Sequence, residues 1–251
     1  MADKQTKTIL FDLDGTLLPI GQSTFVETYL EELGKKLAAE GFDSARAIKA
    51  IWAGTKVMVQ NRGEELNHAV FWREFAFAMG MGNEFTAEQL SEIEKTCDKF
   101  YLNEFNIVKK AANITPLSKK LVYMLKDKGY DLILATNSLF PPEAIQSRLA
   151  WLDLSPEDFL YITDYKNSHY CKPGLGYYRE IFEKTGKDPV QCLMVGNNVE
   201  EDLRARELGC HIYLVTDYLE NEHALDISQF PHGSLADFYA AASAFPAVNT
   251  I

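Results

Sequence analysis

One pattern constrains this chain more than any other. A single strand-like run is followed by a long stretch of helical periodicity, and then by a regular alternation of strands and helices. Thr8-Ile9-Leu10-Phe11 is a short apolar run ending at Asp12, and it reads as a buried strand feeding a loop. From Ser23 to about Asn103 the apolar residues recur at helical spacing, with Phe25, Tyr29, Leu33 and Leu37 four apart. This spacing predicts roughly four helices and no strand in the segment. Thr86 to Gln89 fits a capping box, in which the side chains of the first turn satisfy free backbone amides.

The alternation begins after about Asn106. Thr115 with Pro116 opens a helix and Gly129 closes it. Strands are expected at Asp131–Thr136, Phe159–Thr163, Gln191–Val195 and His211–Val215. Helices are expected at Pro142–Trp151, Leu175–Lys184 and Glu200–Leu208. Strands alternating with helices predict an α/β fold: a doubly wound, Rossmann-like parallel sheet covered on both faces. The lone first strand can join that sheet, which makes the helical stretch an insertion. The expected organisation is a Rossmann-like core from residues 1–20 and 107–251, with an all-helical cap from residues 21–106 inserted after the first strand.

Composition narrows the function. With 251 residues and 47% hydrophobic residues the chain can bury a sizeable core. Its net charge of -11 argues against a nucleic-acid or anionic-membrane partner, because an acidic surface attracts neither. A small anionic substrate is still allowed, since one lysine, one cation and a few amides reverse the field locally. No stretch approaches 18 continuous apolar residues, so no membrane span is expected. The opening MADKQTKTILF lacks the apolar run of a signal peptide. Cys97, Cys171, Cys192 and Cys210 have neither zinc-site nor disulfide-frame spacing, and His68, His169, His211, His223 and His232 show no ligand motif. A cytoplasmic protein with reduced thiols is the expectation.

In a doubly wound sheet the binding crevice lies at the carboxyl ends of the strands. The first expected strand ends in Asp12-Leu13-Asp14-Gly15-Thr16, the second in Thr136-Asn137-Ser138. The loop after the third holds Lys172-Pro173, and the fourth is followed by Gly196-Asn197-Asn198 with Glu201 and Asp202 just beyond. Asp12, Asp14 and Asp202 would thus converge. Like charges about 4 Å apart repel by roughly 4 kcal/mol at an effective dielectric near 20. Such a cluster takes up protons or holds a cation. A hard divalent ion with oxygen ligands answers this, and magnesium suits a site shared with a substrate phosphate. Lys172 can balance phosphoryl oxygens, and Thr136 can hydrogen-bond them.

These residues, in this order, resemble the haloacid dehalogenase superfamily: DLDGT after the first strand, a Thr at the end of the second, a Lys-Pro, and a late Gly-Asn-Asn-x-x-x-Asp. The resemblance spans nearly the whole chain, the inserted helices corresponding to that family's helical cap. It implies a magnesium-dependent phosphatase acting on a small phosphorylated metabolite. It implies Asp12 as nucleophile forming an aspartyl phosphate, and Asp14 as general acid and then base, with its carbonyl oxygen on the metal. Thr136, Asn137 and Lys172 are implied as phosphate-binding residues, and Asp12, Asp14, Asn197 and Asp202 as the metal set, with Mg2+ between Asp12 and phosphate. The family usually carries Asp where this chain has Asn197. An amide ligates without adding charge, so weaker metal affinity is expected.

The alternatives are a phosphosugar mutase of the same superfamily, and a non-catalytic regulator that binds a phosphorylated ligand. A dehalogenase fits less well, because Asp14 supplies the acid and base that phosphate chemistry requires. In the cap, Lys56, Asn61, Arg62, His68, Trp72 and Arg73 can contact a substrate, but each also suits a helix surface or packing. The stretch Phe71 to Phe77 reads as cap core. The sequence identifies no protein partner.

Overall fold

The computed structural model describes residues 6–82 and 85–248. Residues 1–5 and 249–251 of the expected core, and 83–84 of the expected cap, lie outside the described residues. β1 (Thr8–Phe11) is buried at every position, as an apolar run in the middle of a covered sheet requires. β2 (Asp131–Leu134) and β4 (Cys192–Gly196) pair with it on either side in parallel, Thr8 standing opposite both Asp131 and Cys192. β3 (Tyr161–Ile162) pairs with β2, β5 (His211–Val215) with β4, and β6 (His232–Gly233) with β5. The order is β3-β2-β1-β4-β5-β6, so the chain changes winding direction at β1 and β4.

Alternation along the strands sorts side chains to two apolar layers. Ile9, Phe11, Leu132, Leu134, Leu193 and Val195 enter one core. Leu10, Ile133, Met194 and Leu214 enter the other, under α7 (Leu175–Thr185). The first layer is covered by α5 (Leu117–Asp127), α6 (Pro142–Trp151) and α9 (Leu235–Ser243), each of which contributes buried residues to it. Between Val199 and Leu208 a short α8 (Val199–Asp202) passes into a 3-10 helix.

Between β1 and α5 lie α1 (Gln22–Ala39), α2 (Ser44–Val59), α3 (Asn67–Ala78) and α4 (Ala87–Asn103), with no sheet strand among the described residues. Phe25, Tyr29, Leu33 and Leu37 form the buried stripe of α1. The capping box of α4 is present, Thr86 accepting from the Gln89 amide and Gln89 from the Thr86 amide. On α3, Phe71, Trp72, Phe75 and Ala76 are buried, whereas Phe77 is 78% exposed. At about 100° per residue, Phe77 falls on the opposite side of the helix from that stripe. The helical insertion shares one continuous core with the sheet face below it. Asn67 ties the two together. Fully buried, its Nδ2 lies within 3.2 Å of Ser138 Oγ and of the Tyr170 carbonyl, while its Oδ1 accepts from Asn61. No helix among the described residues is long and apolar enough to cross a membrane.

Candidate active site

β1 carries the chain into the site with its backbone already fixed: the Asp12 amide donates to the Val195 carbonyl at 2.9 Å, and the Phe11 carbonyl accepts from Ala135 at 2.7 Å. Two glycines let neighbouring loops close on one another. Gly15 has φ +83°, and a Cβ there would lie 2.2 Å from Asn197 Nδ2. A Cβ on Gly196 would lie 2.0 Å from Asp202 Oδ2. The glycine of the DLDGT motif thus permits both a left-handed turn and close approach of the β1 and β4 loops.

Lys172 anchors the charge network. Its Nζ lies 2.9 Å from Asp12 Oδ1 and 2.7 Å from Asp202 Oδ1, and the side chains of Lys172 and Asp202 are fully buried. The second Asp202 oxygen accepts from the Asn198 amide at 3.0 Å. Burial disfavours the Lys172 charge, but Asp12 and Asp202 outweigh it and hold the ammonium well above the ordinary lysine range. Burial pushes Asp12 up to about 7, against the attraction of Lys172 and with the repulsion of Asp202. Burial likewise lifts Glu201 to about 7.

Above this network lies a cavity of about 100 Å³, lined by Asp12, Asp14, Thr136, Asn137, Asn197 and Glu201 among others. Lys172 and Asp202 sit outside its lining and reach it through Asp12. Thr136 is buried, and its carbonyl accepts from Thr163 at 2.6 Å and from the Tyr177 hydroxyl at 2.8 Å, which fixes the strand end. The Asn137 side chain accepts from the Lys172 amide at 3.2 Å and donates to Glu201 Oε1 at 3.0 Å, so it positions the lysine loop. Asn197 is committed at both ends of its amide. Its Oδ1 accepts from Thr16 at 2.9 Å and its Nδ2 donates to the Tyr218 carbonyl at 2.7 Å.

Sequence reasoning missed Arg148. It stands on α6 in the stripe Ala144, Ile145, Arg148, Leu149, all buried. Its Nη1 donates to Asp14 Oδ2 and its Nε to the Ala144 carbonyl at 3.2 Å. The guanidinium lies over the Phe140 ring, 4.6 Å from the centroid, and over Phe25 at 5.3 Å. A charged residue on the apolar stripe of an amphipathic helix is the signal that would have found it. Burial raises the Asp14 carboxyl above its ordinary value, and Arg148 opposes that rise. Asp14 Oδ1 and Arg148 Nη2 are left buried without a hydrogen-bond partner.

Of the cap residues considered from sequence, His68 pairs with Glu94, Arg73 with Glu65 and Asn61 with Asn67. Lys56 and Arg62 are exposed, and Trp72 is buried. None of them lines the cavity beside Asp12.

The donor set can be tested for a cation. Among the described residues no group of three or more His, Cys, Asp or Glu side chains is arranged to hold a metal by itself. The expected set does not depend on such a group, because it includes a backbone carbonyl and an amide oxygen. Asp12, Asp14 and Glu201 line the cavity and Asp202 is buried behind Lys172, four carboxyl groups against the two cations Lys172 and Arg148, and one Asp14 oxygen has no hydrogen-bond partner. This excess of hard oxygen donors and negative charge fits a divalent ion of the magnesium type.

A family model for haloacid dehalogenase-like hydrolases matches residues 6–220. The chain is 31% identical over 112 residues to a D-glycero-beta-D-manno-heptose-1,7-bisphosphate 7-phosphatase of Haemophilus ducreyi, a match covering 36% of this chain and 62% of that protein. It is 23% identical to a phosphoglycolate phosphatase of Vibrio vulnificus, over 86% of each chain. Its fold is similar to that of an L-2-haloacid dehalogenase from Xanthobacter autotrophicus, solved with chloropropionic acid covalently bound. That match has a TM-score of 0.56 and 14% identity, and covers 95% of this chain and 99% of the other. The chain belongs to the haloacid dehalogenase-like hydrolase family.

Proposed function

We propose that this protein is a magnesium-dependent phosphatase that hydrolyses a small phosphomonoester through an aspartyl phosphate on Asp12. The observation that carries the reading is the Asp12 carboxylate, clamped by Lys172 beneath a cavity that Asp14 and Thr136 also line. The two similar proteins named as phosphatases support the same chemistry. The fold alone does not choose it, since a dehalogenase shares that fold. Asp14 favours the phosphatase reading, because a halide leaves without a proton and an alkoxide does not.

In the first half-reaction an Asp12 oxygen attacks phosphorus, and the bond from phosphorus to the leaving oxygen breaks. Asp14 gives its proton to that oxygen. One Asp14 oxygen is held by Arg148, so the unpartnered Oδ1 is the atom suited to carry the proton. In the second half-reaction Asp14 takes a proton from water, the water oxygen attacks phosphorus, and the acyl-phosphate bond breaks to restore Asp12. Lys172 keeps Asp12 oriented and balances its charge against Asp202. Thr136 and Asn137 border the phosphoryl position. Asp12, the Asp14 carbonyl, Asn197 and Asp202 would hold a magnesium ion, the last two with side-chain oxygens that also accept hydrogen bonds from Thr16, Lys172 and the Asn198 amide. Bound there, the ion would neutralise the phosphoryl oxygens and polarise phosphorus for attack. Residues 21–106 act as the cap that excludes bulk water during attack.

The test is a phosphate-release screen over phosphomonoesters, with magnesium or a chelator, on the wild type and Asp12→Asn. Magnesium-dependent release in the wild type and its loss in a folded Asp12→Asn support the reading. Unchanged release in Asp12→Asn removes Asp12 from the mechanism.

A further inference from the structure

A second cavity of about 360 Å³ lies within the helical insertion, between α1, α2, α3 and the segment Leu139–Pro141. It adjoins the catalytic cavity, because Gln22, Val26, Leu139 and Phe140 line both. Its volume falls in the range of small-molecule sites, roughly 300–1,000 Å³. Its walls are mostly aromatic and aliphatic, including Leu33, Ile51, Phe71 and Tyr165; Gln22, Ser23 and Thr55 add uncharged polar groups, and no charged side chain lines it. The Tyr29 and Tyr101 hydroxyls bond to each other at 2.6 Å. Trp52 lines the cavity and is 52% exposed, an aromatic face left in contact with water.

This chemistry limits what can leave from phosphorus. A carboxylate or second phosphate on the leaving group would enter this space without a counter-charge, and an unpaired anion is strongly disfavoured there. The two buried cations of the catalytic site cannot serve. The Arg148 side chain is 1% exposed and engaged with Asp14, and that of Lys172 is 1% exposed beneath Asp12. An apolar ring would instead replace water along aromatic walls.

Resting on the phosphatase reading, we propose that the leaving group is an uncharged, apolar alcohol or phenol of aromatic size, seated in the cavity of the helical insertion. The substrates named for the similar proteins, a phosphoglycolate and a heptose bisphosphate, both carry a second anion and would not suit it.

Calorimetry on the Asp12→Asn variant with magnesium, which should bind without turnover, compares 2-naphthyl phosphate with 2-phosphoglycolate. Naphthyl phosphate should bind at least tenfold more tightly, with a matching preference in kcat/KM for the wild type. Thr55→Arg, which adds a cation to the cavity wall, should narrow or reverse that preference. Equal or tighter binding of phosphoglycolate by Asp12→Asn overturns the proposal, and so does binding of neither. Tight binding of naphthyl phosphate without phosphate release by the wild type keeps the cavity's assignment and removes the hydrolase reading instead.

Discussion

Arg148→Met is the substitution whose consequences the structure defines most fully. Methionine keeps an unbranched stem on the buried stripe of α6 and removes the guanidinium. Asp14 then loses its ion-pair partner, and the Phe25 and Phe140 rings lose the cation between them. Removing one partner of a buried pair costs about 3–5 kcal/mol. The Asp14 side chain is 22% exposed and can take up water or a proton, so the loss should lie near the lower end, about 3 kcal/mol. Urea unfolding at pH 7 measures it. The double variant Asp14→Asn/Arg148→Met leaves no charge behind and should recover at least about 1 kcal/mol relative to the single variant. The pH dependence has a definite sign. Arg148 opposes the rise of the Asp14 carboxyl, so its removal lets that value climb further. Below about pH 4 Asp14 is protonated in folded and unfolded chains alike, and the deficit shrinks. In catalysis a general acid with a raised pKa stays protonated longer, so the alkaline limb of the pH–rate profile should move upward. A deficit below about 1 kcal/mol at pH 7, unchanged by adding Asp14→Asn, would refute this reasoning.

Lys172→Met leaves Asp12 and Asp202 facing each other without the ammonium. Phosphate release should fall at least about a hundredfold, and urea unfolding should show a loss of about 3–5 kcal/mol. Asn197→Asp replaces the Nδ2 donor with an acceptor facing the Tyr218 carbonyl. In chelator, thermal unfolding should reveal a loss of about 1–3 kcal/mol, and added magnesium should restore more stability to the variant than it adds to the wild type. Burial raises Asp12 to about 7, so between about pH 4 and pH 7 the folded chain holds a proton that the unfolded chain has released. Its contribution to stability is therefore lost as pH rises through that window. In chelator at pH 8, Asp12→Asn should be roughly 1–2 kcal/mol more stable than the wild type, with the two converging near pH 4 in paired denaturation curves.

Much of the fold was legible because its elements announce themselves locally. The apolar run before Asp12, the helix Pro142–Trp151 and the strand His211–Val215 lie where periodicity and punctuation put them. The expected strand Phe159–Thr163 contracts to Tyr161–Ile162, since an edge strand has only β2 to pair with. β6 has two residues, too few to carry an alternation. α9 opens on Ser234 with Asp237 closing its capping box, an acidic variant of the Glu or Gln pattern used to find such starts. At the site, strand ends identified Asp12, Asp14 and Thr136, because topology alone delivers them to one crevice. Arg148 and Glu201 were not singled out for roles. The first acts from a helix, and the second matters only once the loops have folded together. Nor could spacing reveal that the Asn197 amide is tied to Thr16 and Tyr218, or that the insertion encloses an uncharged cavity.

Covalent phosphorylation of Asp12 is the central claim, and trapping the intermediate tests it most directly. The wild type, mixed with magnesium and a radiolabelled aryl phosphomonoester and quenched in acid within one turnover, should carry label on a single peptide containing Asp12. That label should be released by mild base and be absent from Asp12→Asn. Turnover of the same ester with no protein-bound label at any quench time, or with label on a residue other than Asp12, would contradict the account.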